Sequence, residues 1–152
     1  MQIFSAPLVA FDPGETTGVA WLVPSRTTKV TFTRRRLDLP AELVRTRVVK
    51  GHLAIWHVLN ELNPCEVVSE SFRLYAHAAR FKINSGFPEI EMIGVIRLWT
   101  LLHDIPMHEQ SAAHAKTAVD DAQLRRLQLY DGNKHNRDAL RHLILRLRRL
   151  NR

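Results

Sequence analysis

The chain has 152 residues, 45% of them hydrophobic, with one cysteine and a formal net charge of +7 from 22 Lys+Arg against 15 Asp+Glu. That length suits one domain over residues 1–152 with a real core, and a lone cysteine excludes a disulfide framework and points to a reducing compartment. No run is apolar for long enough to cross a bilayer and no secretory signal opens the chain, so a cytoplasmic protein is the expectation, its basic charge favouring a polyanionic partner.

The first feature is Leu8–Leu22, LVAFDPGETTGVAWL. Two apolar runs flank Pro13-Gly14, which predicts strands over about 7–12 and 17–23 joined by a tight turn. Asp12 closes the first run. A carboxylate at the mouth of a buried strand needs a cation, a metal or a metal-bound phosphate as partner; a turn-capping Asp is the alternative. Residues 29–37 read as a third strand. Leu39-Pro40 then opens a long helix over 41–63, on the spacing of Val44, Val48, Ile55, Leu59 and Leu62, and Asn63-Pro64 stops it. Residues 65–70 form a fourth apolar strand, with Cys65 as a small core residue and Glu70 as its closing carboxylate. Residues 72–87 are polar, basic and aromatic, and read as a loop or irregular helix. A helix follows over 89–103, a fifth strand over 105–108, short helical pieces over 111–119 and 121–129, and a last helix over 135–150. Leu140, Leu143, Ile144, Leu147 and Leu150 share one stripe of that helix. Strands joined first by hairpins and later by helices predict an α/β fold, a mixed sheet with helices on its faces.

Asp12 and Glu70 each end a strand. Asp138 lies in the first turn of the last helix, three residues after His135 and on the same face. That face lies opposite the leucine stripe, so His135, Asp138 and, one turn on, His142 are expected outside the core. If the first and fourth strands are neighbours, Asp12 and Glu70 meet at one sheet end, where the helix start brings Asp138 to them. Converging carboxylates repel one another. Mg2+ resolves the repulsion, because it binds through a few carboxylates plus substrate phosphate. Two such ions about 4 Å apart activate a water and stabilise the leaving oxygen in phosphodiester cleavage. A basic surface beside a carboxylate metal site points to a nuclease. Glu15, after the turn, is expected to be solvated.

The turn DPG-x-T-T-G-V-A, the acid in VVSESF and the late motif H-N-R-D-A-L-R-H, in that order and spacing, resemble the RuvC-type Holliday junction resolvases of the RNase H-like superfamily, most of all their small phage-encoded members. The resemblance implies a five-stranded mixed sheet flanked by helices, with three antiparallel strands and then two parallel to the first. It implies a structure-selective endodeoxyribonuclease that nicks branched DNA with Mg2+, replaceable by Mn2+, two ions per site. It also implies Asp12, Glu70, His135 and Asp138 as catalytic metal ligands, with His135 where many members carry Asp. Lys116 in HEQSAAHAKTAV matches a lysine of the family. Three residues after the strand-four acid, where RuvC enzymes carry an aromatic, stands Arg73; Phe72 and Tyr75 flank it and, with Arg73 and Lys116, are the DNA-contact candidates. A flap or replication-fork nuclease on the same fold and a non-catalytic branched-DNA-binding protein are the alternatives. A phage-encoded protein of this kind works in the host cytoplasm.

The resemblance also favours a homodimer through the helix over 89–103. Met92, Val95, Ile96, Trp99 and Leu102 form one apolar stripe there, while Ile90, Ile93 and Leu101 lie outside it and Gly94 permits close approach. A helix apolar on more than one side is either wholly buried or shared with a partner.

Overall fold

A computed structural model of the chain describes residues 6–25, 30–33, 36–73 and 86–150. The strands are β1 (Leu8–Asp12), β2 (Thr16–Leu22), β3 (Thr31–Thr33), β4 (Arg36–Asp38), β5 (Val44–Lys50), β6 (Glu66–Glu70) and β7 (Met107–Gln110). The helices are α1 (His52–Leu62), α2 (Pro88–Leu102), α3 (Ala112–Ala118), α4 (Asp121–Arg126) and α5 (Lys134–Arg149). Five strands make one mixed sheet in the order β5-β2-β1-β6-β7, and β3 and β4 form a separate two-stranded ribbon. β2 runs antiparallel to β1 and to β5, whereas β6 is parallel to β1 and β7 to β6. The expected pattern of three antiparallel strands and two parallel ones is present.

Its third antiparallel strand is not the expected one. Residues 29–37 do not supply it: their described part belongs to the β3–β4 ribbon. The place is taken by β5, from within the segment read as one helix over 41–63. That segment is a single 3-10 turn at Ala41–Leu43, then β5, then α1. The spacing of four between Val44 and Val48 fits a strand period as well as a helical one. Val44, Thr46, Val48 and Val49 are β-branched, which favours the pleat. Gly51, at φ 82°, ends the strand and turns the chain into α1, a conformation open to glycine at no steric cost.

Alternate residues of the central strands feed opposite cores. Leu8, Ala10, Ala20, Leu22 and Val68 pack against Leu140, Leu143, Ile144 and Leu147 of α5. Val9, Phe11, Val19 and Val67 pack against Ile55 and Leu59 of α1 and Met92, Ile96 and Trp99 of α2. Each Val, Leu, Ile, Phe or Met side chain among them contributes about 1.5–3 kcal/mol on burial. The segment after α3 covers the outer side of α5 with Val119, Leu124, Leu127 and Leu129, so α5 is enclosed by sheet on one side and by this segment on the other. Cys65 is not a core residue. It is exposed just ahead of β6, its thiol 3.3 Å from the Ala6 carbonyl.

α2 buries Met92, Ile93, Ile96, Trp99 and Thr100, and the Trp99 indole donates to Asn60 of α1 at 2.8 Å. Ile93 therefore joins the buried stripe, beside Phe72, Ala112 and Ala113, and Leu102 leaves it. Ile90, Leu98, Leu101 and Leu102 remain exposed. Among the described residues, no helix is long and apolar enough to cross a membrane.

Candidate functional site

The site begins in the β1–β2 turn. The buried Thr17 hydroxyl donates to the Gly14 carbonyl at 3.0 Å, which closes the turn behind Asp12. Asp12 and Gly18 are register partners across the β1–β2 pair. Gly18 lies directly under the start of α5: a Cβ there would stand 2.1 Å from the His135 carbonyl oxygen and 2.9 Å from the Asn136 nitrogen. Only a residue without a side chain lets the helix come down onto the strand. The helix start is then fixed from outside. The Asn133 side chain accepts from the His135 N–H at 2.9 Å, an N-cap that satisfies an orphan donor. Asp131 accepts from the Asn136 amide at 2.9 Å and from Thr46 of β5 at 3.0 Å.

Parallel pairing of β1 and β6, with Phe11 opposite Ser69, puts Asp12 and Glu70 at the same sheet end. Asp12, Glu70, His135, Asp138 and Lys116 line one open cleft of about 420 Å3, together with Glu89 and Lys134. Each acid has its own base. His135 Nδ1 lies 3.0 Å from Asp12 Oδ2, and His142 Nε2 lies 3.1 Å from Glu70 Oε2. Asp138 accepts from Arg141, which also binds Asp121 and donates to the Val119 carbonyl. Lys116 Nζ stands 3.5 Å from the other Asp138 oxygen. Burial raises the Asp12 carboxyl; the His135 hydrogen bond opposes this, the Glu70 and Asp138 charges add to it, and the group ends at about 6.

Among the described residues no three His, Cys, Asp or Glu side chains already converge as a ligand set. The donor chemistry nevertheless fits a divalent cation. Asp12 feels like charge from Glu70 and Asp138 in a half-closed cleft, the repulsion that a hard cation with oxygen ligands relieves.

Five of the sequence-derived candidates thus meet in one cleft: Asp12, Glu70, His135, Asp138 and Lys116. Phe72 and Arg73 line an adjoining cleft of about 220 Å3 that shares Glu70 and Glu89. The Phe72 ring sits edge-on to Phe87 with centroids 5.5 Å apart, and Arg73 is exposed. Tyr75 lies outside the described residues. Glu15 is exposed on the cleft rim. The expectation that Asp138 and His142 stand outside the core is corrected: they are 5% and 1% exposed. Arg141 ties Asp138 to Asp121 and to the Val119 carbonyl of the segment after α3, whereas His142 is buried against the sheet, with Glu70 of β6 and Gln110 of β7 as its polar partners. Sequence reasoning missed Glu89, Gln110, Arg141 and the close approach at Gly18. Only Gly18 carried a signal, as a glycine inside a strand.

No protein-family model matches the chain, and no curated protein matches it. Solved structures do. A RuvC from T. thermophilus in complex with Holliday junction substrate is 16% identical, with a TM-score of 0.59 over 90% of this chain and 89% of that one. A Thermus thermophilus RuvC structure is 17% identical, at TM-score 0.59 over 90% of each chain. The fowlpox virus Holliday junction resolvase is 12% identical, at TM-score 0.53 over 95% of this chain and 99% of that one. The chain has the fold of RuvC-type resolvases, as its motifs imply.

Proposed function

We propose that the chain is a single-domain, metal-dependent, structure-selective DNA endonuclease that resolves four-way junctions as a homodimer. The observation that carries this reading is the meeting of Asp12, Glu70, His135 and Asp138 in one cleft of a RuvC-type sheet. These residues would hold Mg2+, or Mn2+ in its place, two ions per site. Divalent cations in such a site supply the positive charge and the acidified water that phosphodiester cleavage needs.

The chain's own residues bind and orient the DNA. Lys116 is half-exposed at the cleft and in reach of a phosphate oxygen beside Asp138; Lys134 and Arg73 extend the basic surface along the two clefts. Phe72 and Tyr75 are the candidates for contact with unstacked bases near the branch point. The net charge of +7 supplies the sequence-independent attraction to phosphate.

The dimer reading is supported by the outer face of α2. Ile90, Leu98, Leu101 and Leu102 are 48%, 53%, 73% and 66% exposed, and Gly94 between them is exposed as well. A contiguous apolar face of this kind marks an interaction surface. A two-fold pair would present two clefts to two strands of equal polarity, which is what paired nicks across a junction require. That the solved T. thermophilus RuvC is bound to a Holliday junction substrate supports the same choice of DNA.

The test is cleavage of matched four-way, three-way, flap and linear DNA in Mg2+, Mn2+ or EDTA. The reading expects the four-way junction to be cut first and only with metal. Cutting confined to flaps replaces it with a flap nuclease, and junction binding without any cutting replaces it with a non-catalytic DNA-binding protein.

A further inference from the structure

We infer that His142 is a positioning residue for Glu70: its buried ring, braced by Gln110, donates to one carboxylate oxygen and fixes how Glu70 presents the other. The inference rests on the reading of Glu70 as a metal-holding acid.

His142 is 1% exposed and Gln110 2% exposed. The ring bridges two strands, with Nε2 at 3.1 Å from Glu70 Oε2 and Nδ1 at 3.1 Å from Gln110 Oε1. Gln110 is the register partner of Glu70 across β6–β7, and its carbonyl accepts from the Ser71 N–H at 2.8 Å. Backbone and side chain of Gln110 thus frame the acid from one side while α5 frames it from the other. His142 stands one helical turn beyond Asp138, so α5 carries two proposed ligands, His135 and Asp138, and the brace of a third.

Proton placement leads to one answer by either route. If Gln110 Oε1 accepts from Nδ1–H, then Nε2 must also carry a proton, because a bare nitrogen and a carboxylate oxygen cannot bond. If the amide is turned over, its NH2 donates to Nδ1 and the proton sits on Nε2. The second route also gives a partner to Gln110 Nε2, which is buried and has none otherwise. In both, His142 Nε2–H donates to Glu70. Packing alone does not call for a polar ring here: the next residues of α5 facing the sheet are Leu143 and Ile144, and burying a ring with two polar atoms is costly unless both are bonded. A glutamate has three rotatable bonds, and a fixed donor on one oxygen removes much of that freedom before any ligand arrives. Outer partners of metal-holding side chains commonly set affinity 10–100-fold.

The experiment is calorimetric Mn2+ titration of the full chain, with thermal melts in EDTA, for Glu70→Gln, His142→Leu, His142→Gln, Gln110→Leu and the Glu70→Gln/His142→Leu pair. The expected result is an about 10–100-fold loss of Mn2+ affinity in His142→Leu, recovery of most of it in His142→Gln, which keeps a donor, and no further loss when His142→Leu is added to Glu70→Gln. Affinity within twofold of the parent in a folded His142→Leu, or equal losses in Leu and Gln, overturns the inference. Unchanged affinity in Glu70→Gln instead overturns the metal-site reading and this inference with it. Should His142→Leu fail to fold, Gln110→Leu carries the test: a several-fold loss sustains the inference and parental affinity overturns it.

Discussion

α5 and α2 cover opposite faces of one sheet, and they differ in what they hide. α5 buries charge: Asp138, Arg141 and His142 are all under 10% exposed, among leucines that fill the core. α2 does the reverse, leaving Ile90, Leu98, Leu101 and Leu102 in solvent while its other side fills a core with Met92, Ile96 and Trp99. Buried charge is tolerated only when it is paired, and every buried ionisable group of α5 has a partner from another element or from the same helix turn. Exposed apolar surface is tolerated singly, but a continuous stripe asks for a partner. One helix thus turns its polar side chains to a cleft, and the other leaves apolar side chains in solvent.

The largest effect is expected on the α5 side. Asp12→Asn, Glu70→Gln and Asp138→Asn should each lower junction cleavage on the order of 10³-fold while junction binding in a gel-shift assay is kept or tightened, because a negative charge near phosphate is removed. A single variant that cuts at near the parental rate in Mg2+ removes that residue from the ligand set. Next comes Gly18→Ala. A methyl group 2.1 Å from the His135 carbonyl forces α5 off the strand, and roughly 3 kcal/mol of stability should go with it, read by denaturant unfolding together with loss of cleavage. An alanine variant of parental stability contradicts the close approach.

On the α2 side, Leu101→Glu, at a position 73% exposed, should keep the far-UV circular dichroism of the folded chain and turn a dimer into a monomer in sedimentation at micromolar concentration, a weakening of about 100-fold or more. Unchanged sedimentation moves the dimer contact elsewhere. The smallest effect concerns Asp12 without metal. Its carboxyl is raised from 3.8 to about 6 in the folded chain, so the folded state favours the proton. The stability that Asp12 contributes is fullest below pH 4 and is lost as pH rises through about 6. Asp12→Asn has no such titration, so in EDTA it should be the more stable protein at pH 7.5, by about 1–3 kcal/mol, with the gap closing by pH 4. Melting curves of the two at both pH values check this, and a gap independent of pH contradicts it.

Much of the sheet was legible because Pro, Gly and acid punctuate it: Asp12 before Pro13-Gly14, and Glu70 closing the short strand around Val67-Val68. The leucine stripe of α5 was legible for the same local reason. β5 was not, since Val44 and Val48 satisfy both periods and Gly51, which separates strand from helix, acts through a backbone angle. The cleft was half legible. Asp12, Glu70, His135 and Asp138 could be paired from their positions at element ends. The partner of Glu70 could not, because His142 meets it, and Gln110 braces the ring, only after α5, β6 and β7 assemble. Periodicity on one helix assigned His142 to solvent; the ends of β6 and β7, distant in sequence, take it up instead through Glu70 and Gln110.

The most direct test of the account is cleavage of a supercoiled cruciform plasmid in Mg2+, following nicked circles and linear product over time. Linear product should form within one encounter from paired nicks placed symmetrically across the junction, and none should form with Asp138→Asn or in EDTA. Nicked circles that accumulate without linear product, made by a chain that sediments as a monomer, would contradict it.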